Sequence, residues 1–489
     1  MSKPTEAQIL SEDEHALNRM GYRQELSRRM NGFSNFAISM SIICILAGGI
    51  TSFQYGFCAV GGASIGLGWP LVCIFSLVVA MTMAQVASAF PTAGGLYHWA
   101  SILGGKGLGW VTAWFNLMGL LAVVAAVNAG AYDFVFGAFQ WPTAGHPGAV
   151  RNIGLAALAV SQALFNHKGI RLTSRLTDLS GYLILCFAAA LTLAMLGYAP
   201  HYDLTRLITF TNYSGLPPGK DAVLPHSGSL LWLFALSFLL PGYTITGFDA
   251  SAHTAEETVG AAANVPRGIV RSVAVSSFFG WIMLCAVVLA IPDMREAAMQ
   301  GNNLFPWIMD KVLPKPLALF LYAGISVTQY LCGLACMTSA SRMMYAFARD
   351  GGLPASPWLC RVSPTARTPV ASIWTVAIFA LFFTFCVPYS AIAACCAVFL
   401  YVSYVLPAAA GFFAHGRTWT KMGPWRLGKW YRPLAVLAVV GCLGLIVIGV
   451  QPPNEVAVPI LAGAVGLMIV AWFAFERKRF QGPPQVNGD

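Results

Sequence analysis

Between Ser229 and Ala255 the stretch SLLWLFALSFLLPGYTITGFDASAHTA holds a single Asp, Glu, Lys or Arg, and that residue is Asp249. An acid in so apolar a run costs roughly 2.5–3.5 kcal/mol on membrane-insertion scales, so it is retained for a function or a partner. Pro241, Gly242 and Gly247 stand just before it and weaken helical pairing in mid-segment. Carbonyls of Tyr243, Thr244, Ile245 and Thr246 would then be free to accept hydrogen bonds from an ammonium group. Tyr243 and Phe248 could cover a solute or stack on a cation, or could pack between helices.

A second interruption lies at Ala47-Gly48-Gly49 in FSNFAISMSIICILAGGITSFQYGF. A half-helix starting there presents unpaired amides at Gly48, Gly49, Ile50 and Thr51, with the positive end of its dipole, to an anion. Amides at one break and carbonyls at the other suit a carboxylate and an ammonium. The expected substrate is therefore a small zwitterion.

Other polar residues gather near these breaks. Asp249 could exchange a proton if its apolar setting raises its pKa, or it could be a salt-bridged structural acid. His253 follows four residues later, with Glu256 and Glu257 three and four beyond it, on adjoining helical faces. A polar cluster at an inner gate fits them better than a metal site, since no second His is near, and Arg342, Arg349 and Asp350 belong to the same rim. Asn116, in AWFNLMG, is a further polar candidate for the binding site, or a helix-to-helix hydrogen bond. No HExxH pair and no GxSxG turn accompanies the eight histidines, so no enzyme chemistry is suggested, and no metal or organic cofactor.

The elements that must position these residues are membrane helices. The 489 residues are 57% hydrophobic and 10% charged, with mean hydropathy +0.66, beyond what a soluble globular chain requires. Apolar spans occur at 33–59, 66–90, 107–132, 152–166, 179–199, 229–257, 269–291, 316–341, 368–387, 390–414, 433–450 and 456–475. Most are near the ~20 residues that a crossing helix needs. Placing the N-terminus inside puts 23 Lys and Arg in internal segments and 6 outside. The positive-inside rule thus predicts that both termini are cytoplasmic and the protein sits in the plasma or inner membrane. The formal charge of +10 is a matter of cytoplasmic loops and does not imply nucleic acid. Twelve scattered cysteines without a CxxC pair suggest neither zinc nor disulfides. Nothing in these residues fixes an oligomeric state.

Five motifs give the chain a resemblance. MGYRQELSRRMNGFSNFAISMS leads into span one, PTAGGLYHWAS follows span two, and NHKGIRLTSRLTDLS joins spans four and five. GFDASAHTAEET closes span six and SASRMMYAFARDGGLP closes span eight. In order and at these helix ends, they resemble the amino acid–polyamine–organocation (APC) superfamily, and most closely its amino acid/choline branch of gamma-aminobutyrate (GABA) and amino acid permeases. The resemblance implies a LeuT-like all-α membrane fold. It has twelve helices, with five plus five in inverted repeat and two added at the C-terminal end. The segments would be a cytoplasmic 1–32, a first repeat 33–199, an external loop 200–228, a second repeat 229–414, two helices in 415–475 and a cytoplasmic tail 476–489. It also implies a secondary active permease working by alternating access on an amino acid such as GABA, with choline or a polyamine as the alternative. Ala47-Gly48-Gly49-Ile50 stands where the superfamily carries a Gly-Ser-Gly-Ile type motif, so one hydroxyl is missing. Coupling to sodium would use hydroxyls such as Thr338, Ser339 and Ser341 of span eight, and coupling to protons and exchange are open beside it. The Lys that some proton-coupled relatives place on span five is missing, because no Lys occurs between Lys168 and Lys220.

Overall fold

The computed structural model describes residues 5–139 and 147–484. The first four residues of the predicted N-terminal segment, the stretch 140–146 and the last five of the tail lie outside the described residues. The described residues form helices and turns, with two isolated β-bridges and no named strand.

A short amphipathic helix, α1 (Glu6–Arg19), precedes the first crossing, which is made of α2 (Gly32–Ile43), α3 (Gly48–Thr51) and α4 (Phe53–Val60). Then come α5 (Trp69–Ala89), the short α6 (Leu96–Gly104), α7 (Lys106–Phe139), α8 (Pro147–His167) and α9 (Ile170–Tyr198). The sixth crossing is again in pieces: α10 (Leu230–Leu236), α11 (Leu239–Thr244) and α12 (Ala250–His253). After α13 (Ala261–Ala290), two short helices, α14 (Met294–Ala298) and α15 (Leu304–Val312), lead to α16 (Lys315–Arg349). The remainder is α17 (Ser356–Leu359), α18 (Val370–Cys386), α19 (Tyr389–Ala414), α20 (Tyr431–Gly449), α21 (Ala457–Ala471) and the one-turn α22 (Arg477–Arg479). Ten helices have the length and apolarity to cross a membrane, and the two shorter apolar helices Leu230–Thr244 and Val370–Cys386 complete the twelve predicted crossings.

The broken crossings sit at the centre. The first is 89% buried and α7 83%, against 22% for the eleventh crossing and 6% for the twelfth, so α20 and α21 lie at the lipid-facing edge. Small and hydroxyl side chains let the central backbones approach: Gly48, Ala47, Ser39 and Ser41 in the first crossing, Gly242 and Ser251 in the sixth. At 35 residues α16 is about 52 Å long, well beyond the ~30 Å hydrocarbon layer. Its overhang beyond residue 341 carries Arg342 and Arg349 as continuous helix.

Both interruptions exist, each displaced from its predicted position. The first helix ends at Ile43, the chain turns through Cys44 to Ala47, and Gly48 and Gly49 already belong to α3. In the sixth crossing the helix is interrupted at Ser237 and Phe238, one turn before Pro241. The missing proline N–H leaves the Ser237 carbonyl to Leu240, and the helix then runs on through Gly242. Gly242 N–H donates to Phe238 (2.8 Å) and Ile245 N–H to the Pro241 carbonyl (2.8 Å). Pro241 is tolerated because it falls in the first turn of α11, where its missing N–H would have no intrahelical partner. The chain unwinds four residues later, from Ile245 to Asp249, with Gly247 at φ +81°. All twelve cysteines are free thiols, and Cys186 and Cys386 are exposed.

Candidate functional site

The two breaks touch. A Cβ added to Gly48 would lie 3.0 Å from Thr244 Cα and 3.1 Å from its hydroxyl, so only glycine lets α3 and α11 meet this closely. Beside the contact lies a small, narrow cavity. Ile42, Ile43, Ala47, Gly48 and Thr51 of the first crossing and Tyr243, Thr244 and Thr246 of the sixth form one side. Val123, Ala126, Val127 and Gly130 of α7, Cys332 of α16 and Tyr389 of α19 form the other. No lining side chain is charged. A second narrow space adjoins it across Thr51, Tyr243 and Tyr389, and reaches Tyr55, Phe238 and Tyr401.

The backbone at the breaks is partly spent. Gly48 N–H donates to Cys44 and Thr51 N–H to Ala47, whereas the amides of Gly49 and Ile50 have no partner among the described residues. On the sixth crossing the Tyr243 carbonyl accepts the Thr246 hydroxyl (2.8 Å). The carbonyls of Thr244, Ile245 and Thr246 accept nothing among the described residues. The surroundings hold these turns in place. Gln329 Nε2 donates to the Leu46 carbonyl (3.1 Å), Tyr401 OH to the Gly242 carbonyl (2.7 Å), and Gly247 N–H to Tyr404 OH (3.1 Å). Unpaired backbone donors and acceptors in an apolar interior are costly unless a solute or water meets them.

Asp249 is fully buried behind the cavity and does not line it. Its Oδ1 accepts from Tyr404 OH (2.9 Å) and its Oδ2 from Asn116 Nδ2 (3.0 Å), and His253 Nε2 lies 3.2 Å from Oδ2. Asn116 thus bridges α7 to Asp249 and to Ser403 Oγ (3.3 Å), away from the cavity. Phe248 is buried on the Tyr404 ring, with centroids 5.0 Å apart, and also stands outside the cavity. Gly49, Ile50, Ile245 and Gly247 contribute backbone near the site without lining it. Tyr404, Gln329 and Tyr389 were not singled out from sequence, because tyrosine and glutamine in an apolar run read as ordinary membrane-helix residues.

The half-helices α2 and α12 of the two broken crossings are tied to one another. Ser39 Oγ donates to the Phe248 carbonyl (2.9 Å) and accepts from Ser251 N–H (2.9 Å), and Asn35 Nδ2 donates to the Ser251 carbonyl (2.9 Å). Below them the inner side is shut. Arg349 makes a two-pronged pair with Glu256 (both 2.9 Å), and Arg342 another with Glu257 (2.9 and 3.1 Å). His253 Nδ1 lies 3.2 Å from the Ala93 carbonyl, and the Ala93 N–H donates to Glu256 Oε1 (3.1 Å). The N-terminal segment closes the layer: Arg29 and Met30 N–H both donate to the Glu257 carbonyl, and Tyr22 OH donates to Asp350 (2.8 Å). Burial pushes the Asp350 carboxyl and the Tyr22 phenol above their ordinary values, against the pull of Arg349 on both. Asp13 caps α13 by accepting from Gly260 and Ala261 N–H, and burial raises its pKa although Arg28 sits 3.6 Å away.

The hydroxyls expected to hold sodium are not at the first break. Thr338 donates to Asn166 Oδ1 (2.8 Å), Ser341 donates to the Thr338 carbonyl, and Ser339 Oγ is buried without a partner. The α16 residues that reach the break are Gln329 and Cys332, and Thr338 lies about 9 Å further along the helix. The reason is the length of α16: its hydroxyls serve the overhang that carries Arg342. Among the described residues no group of three or more His, Cys, Asp or Glu could hold a metal ion.

A central cavity between two unwound crossings, sealed on the side that carries the N-terminal segment, fits a multi-pass membrane transporter. The profile of the family described as Amino acid permease matches residues 30–473, and the chain belongs to that family. It is 30% identical, over 97% of both chains, to Amino-acid permease BAT1 of Arabidopsis thaliana. It is 28% identical to the GABA-specific permease of Saccharomyces cerevisiae over 74% of this chain and 64% of that protein. To a putative polyamine transporter of Candida albicans it is 25% identical over 98% of this chain and 90% of that one. These relatives are carriers of small molecules and not enzymes.

Proposed function

We propose that this permease carries a small zwitterion, an amino acid such as GABA, by alternating access across the plasma or inner membrane, with both termini in the cytoplasm. One observation carries the reading: the unwound turns of the first and sixth crossings meet at a cavity whose lining side chains are all uncharged, and they leave the amides of Gly49 and Ile50 and the carbonyls of Thr244 to Thr246 unpaired among the described residues. The amides take a carboxylate, and the carbonyls take an ammonium. A polyamine would bring a second ammonium and call for a buried carboxylate, and Asp249, the acid at the second break, already accepts from Tyr404, Asn116 and His253. The repeats 33–199 and 229–414 would rock about this point, and the ion pairs of Glu256 and Glu257 must part for the cytoplasmic side to open.

Proton coupling through Asp249 and His253 is favoured over sodium coupling, because this pair joins the region of the cavity to the inner gate through Ala93. Counterflow in proteoliposomes with labelled amino acids, GABA, choline and putrescine tests the substrate, repeated without sodium and then with the pH gradient collapsed. Zwitterions should move and putrescine should not; movement of choline or putrescine alone overturns the reading. Asp249→Asn should flatten the pH profile of uptake, and a variant that keeps the wild-type profile removes Asp249 from coupling.

A further inference from the structure

The chain leaves its last crossing through a basic turn, Arg477, Lys478 and Arg479, all exposed, and then buries Phe480 completely. A fully buried aromatic so close to a chain terminus is held by something specific. Its ring lies 6.3 Å from that of Tyr97 and 6.0 Å from that of Phe347, which are 5.3 Å from one another. Lys106 Nζ donates to its carbonyl (3.2 Å). Tyr97 is itself part of the inner gate, since its hydroxyl donates to Asp350 beside Tyr22. Beyond Phe480 the tail continues across the cytoplasmic face. Gly482 lies against Lys106, and Pro484 packs so tightly on Gly21 (φ +83°) that no side chain fits there.

These contacts fall on both sides of the seam that must part. Lys106 and Phe347 belong to α7 and α16, the latter bearing Arg349. Gly21 belongs to the N-terminal segment, which is hydrogen-bonded through Arg29 and Met30 to Glu257 of the sixth crossing. Parting Glu256 from Arg349 therefore stretches the 477–484 strap unless Phe480 first leaves its site.

We propose that residues 477–484 are a latch whose Phe480 bolt holds the cytoplasmic gate shut and limits how often it opens. The latch governs opening whatever the solute, so it extends beyond the substrate and coupling readings above. The test uses the full chain carrying A252C, buried beside the gate, in membrane vesicles whose cytoplasmic face is accessible. A membrane-impermeant maleimide labels position 252, with the chain lacking A252C as background. Truncation after Glu476, and Phe480→Ala separately, should each raise the labelling rate at least threefold. A second variant keeps the latch closed. A Cβ at Gly482 would be 3.1 Å from Lys106 Cβ, so oxidising K106C/G482C to a disulfide, with the electrons passing to dissolved oxygen, should cut labelling and counterflow at least fivefold, and dithiothreitol should restore both. Labelling at the unaltered rate in the truncated and Phe480→Ala proteins overturns the latch. So does a thermal stability loss without a labelling gain, which would make the tail packing only, or a cross-linked protein that transports at the reduced rate. Labelling needs no solute, so these outcomes leave the substrate reading untouched.

Discussion

His98 shows how much one side chain can be made to depend on its surroundings. It lies in α6, outside the crossings, fully buried, with Nδ1 2.8 Å from the Thr92 hydroxyl and Nε2 without a partner. Burial, reinforced by the nearby Arg349 guanidinium, pushes the imidazole down from 6.5 to about 3. The unfolded chain therefore binds this proton more tightly than the folded one. The stability it contributes is complete above about pH 6.5 and is lost as pH falls toward 3. At pH 5 the loss should be about 2 kcal/mol. Thermal unfolding in detergent should show it, and His98→Gln should flatten the dependence between pH 6.5 and 5. Asp249, by contrast, was visible from sequence as the lone charge in its run. What could not be read there is that Tyr404 and Asn116, from helices distant in the chain, occupy its acceptor positions.

At the scale of elements, the closeness of α3 to α11 rests on Gly48. Gly48→Ala places a methyl 3.0 Å from Thr244 Cα, forcing the two breaks apart by a few tenths of an ångström. Counterflow should fall roughly tenfold or more, as expected when binding groups shift by a fraction of an ångström, while thermal stability changes little. Gly130→Ala is the matched comparison: its methyl would meet Tyr389 OH at 3.4 Å and Thr51 Cγ2 at 3.6 Å, ordinary contacts. It should spare the smallest substrates and slow the larger ones, read as a shift in relative counterflow rates across the panel. The displacement of the second break from Pro241 to Gly247 belongs to this scale too. The missing N–H of Pro241 interrupts the helix one turn earlier, and within the first turn of α11 it costs no hydrogen bond.

For the molecule as a whole, the buried pair of Arg342 and Glu257 ties the sixth crossing to α16, with both side chains fully inaccessible. Removing one partner leaves an uncompensated charge, so Glu257→Gln or Arg342→Ala should each cost about 3–5 kcal/mol of stability. The double variant Arg342→Met/Glu257→Leu should lose less than either, measured by thermal unfolding in detergent. Impermeant labels on either terminus should react only from the cytoplasmic side, as the distribution of Lys and Arg requires.

Apolar length and the placement of charge were enough, in the sequence alone, to point to a twelve-crossing membrane chain, its two interrupted helices and the single charge between Ser229 and Ala255. These are local properties: each depends on a run of some twenty residues and the cost of placing them in hydrocarbon. The motifs added the family. Only the tertiary structure decided which peptide groups stay unpaired, that Thr338 and Ser341 are committed elsewhere, and that Pro484 packs on Gly21. Those outcomes depend on which helices become neighbours. A hydrogen bond between Asn116 and Asp249, or a ring contact between Phe480 and Tyr97, spans a separation in the chain that no local pattern encodes.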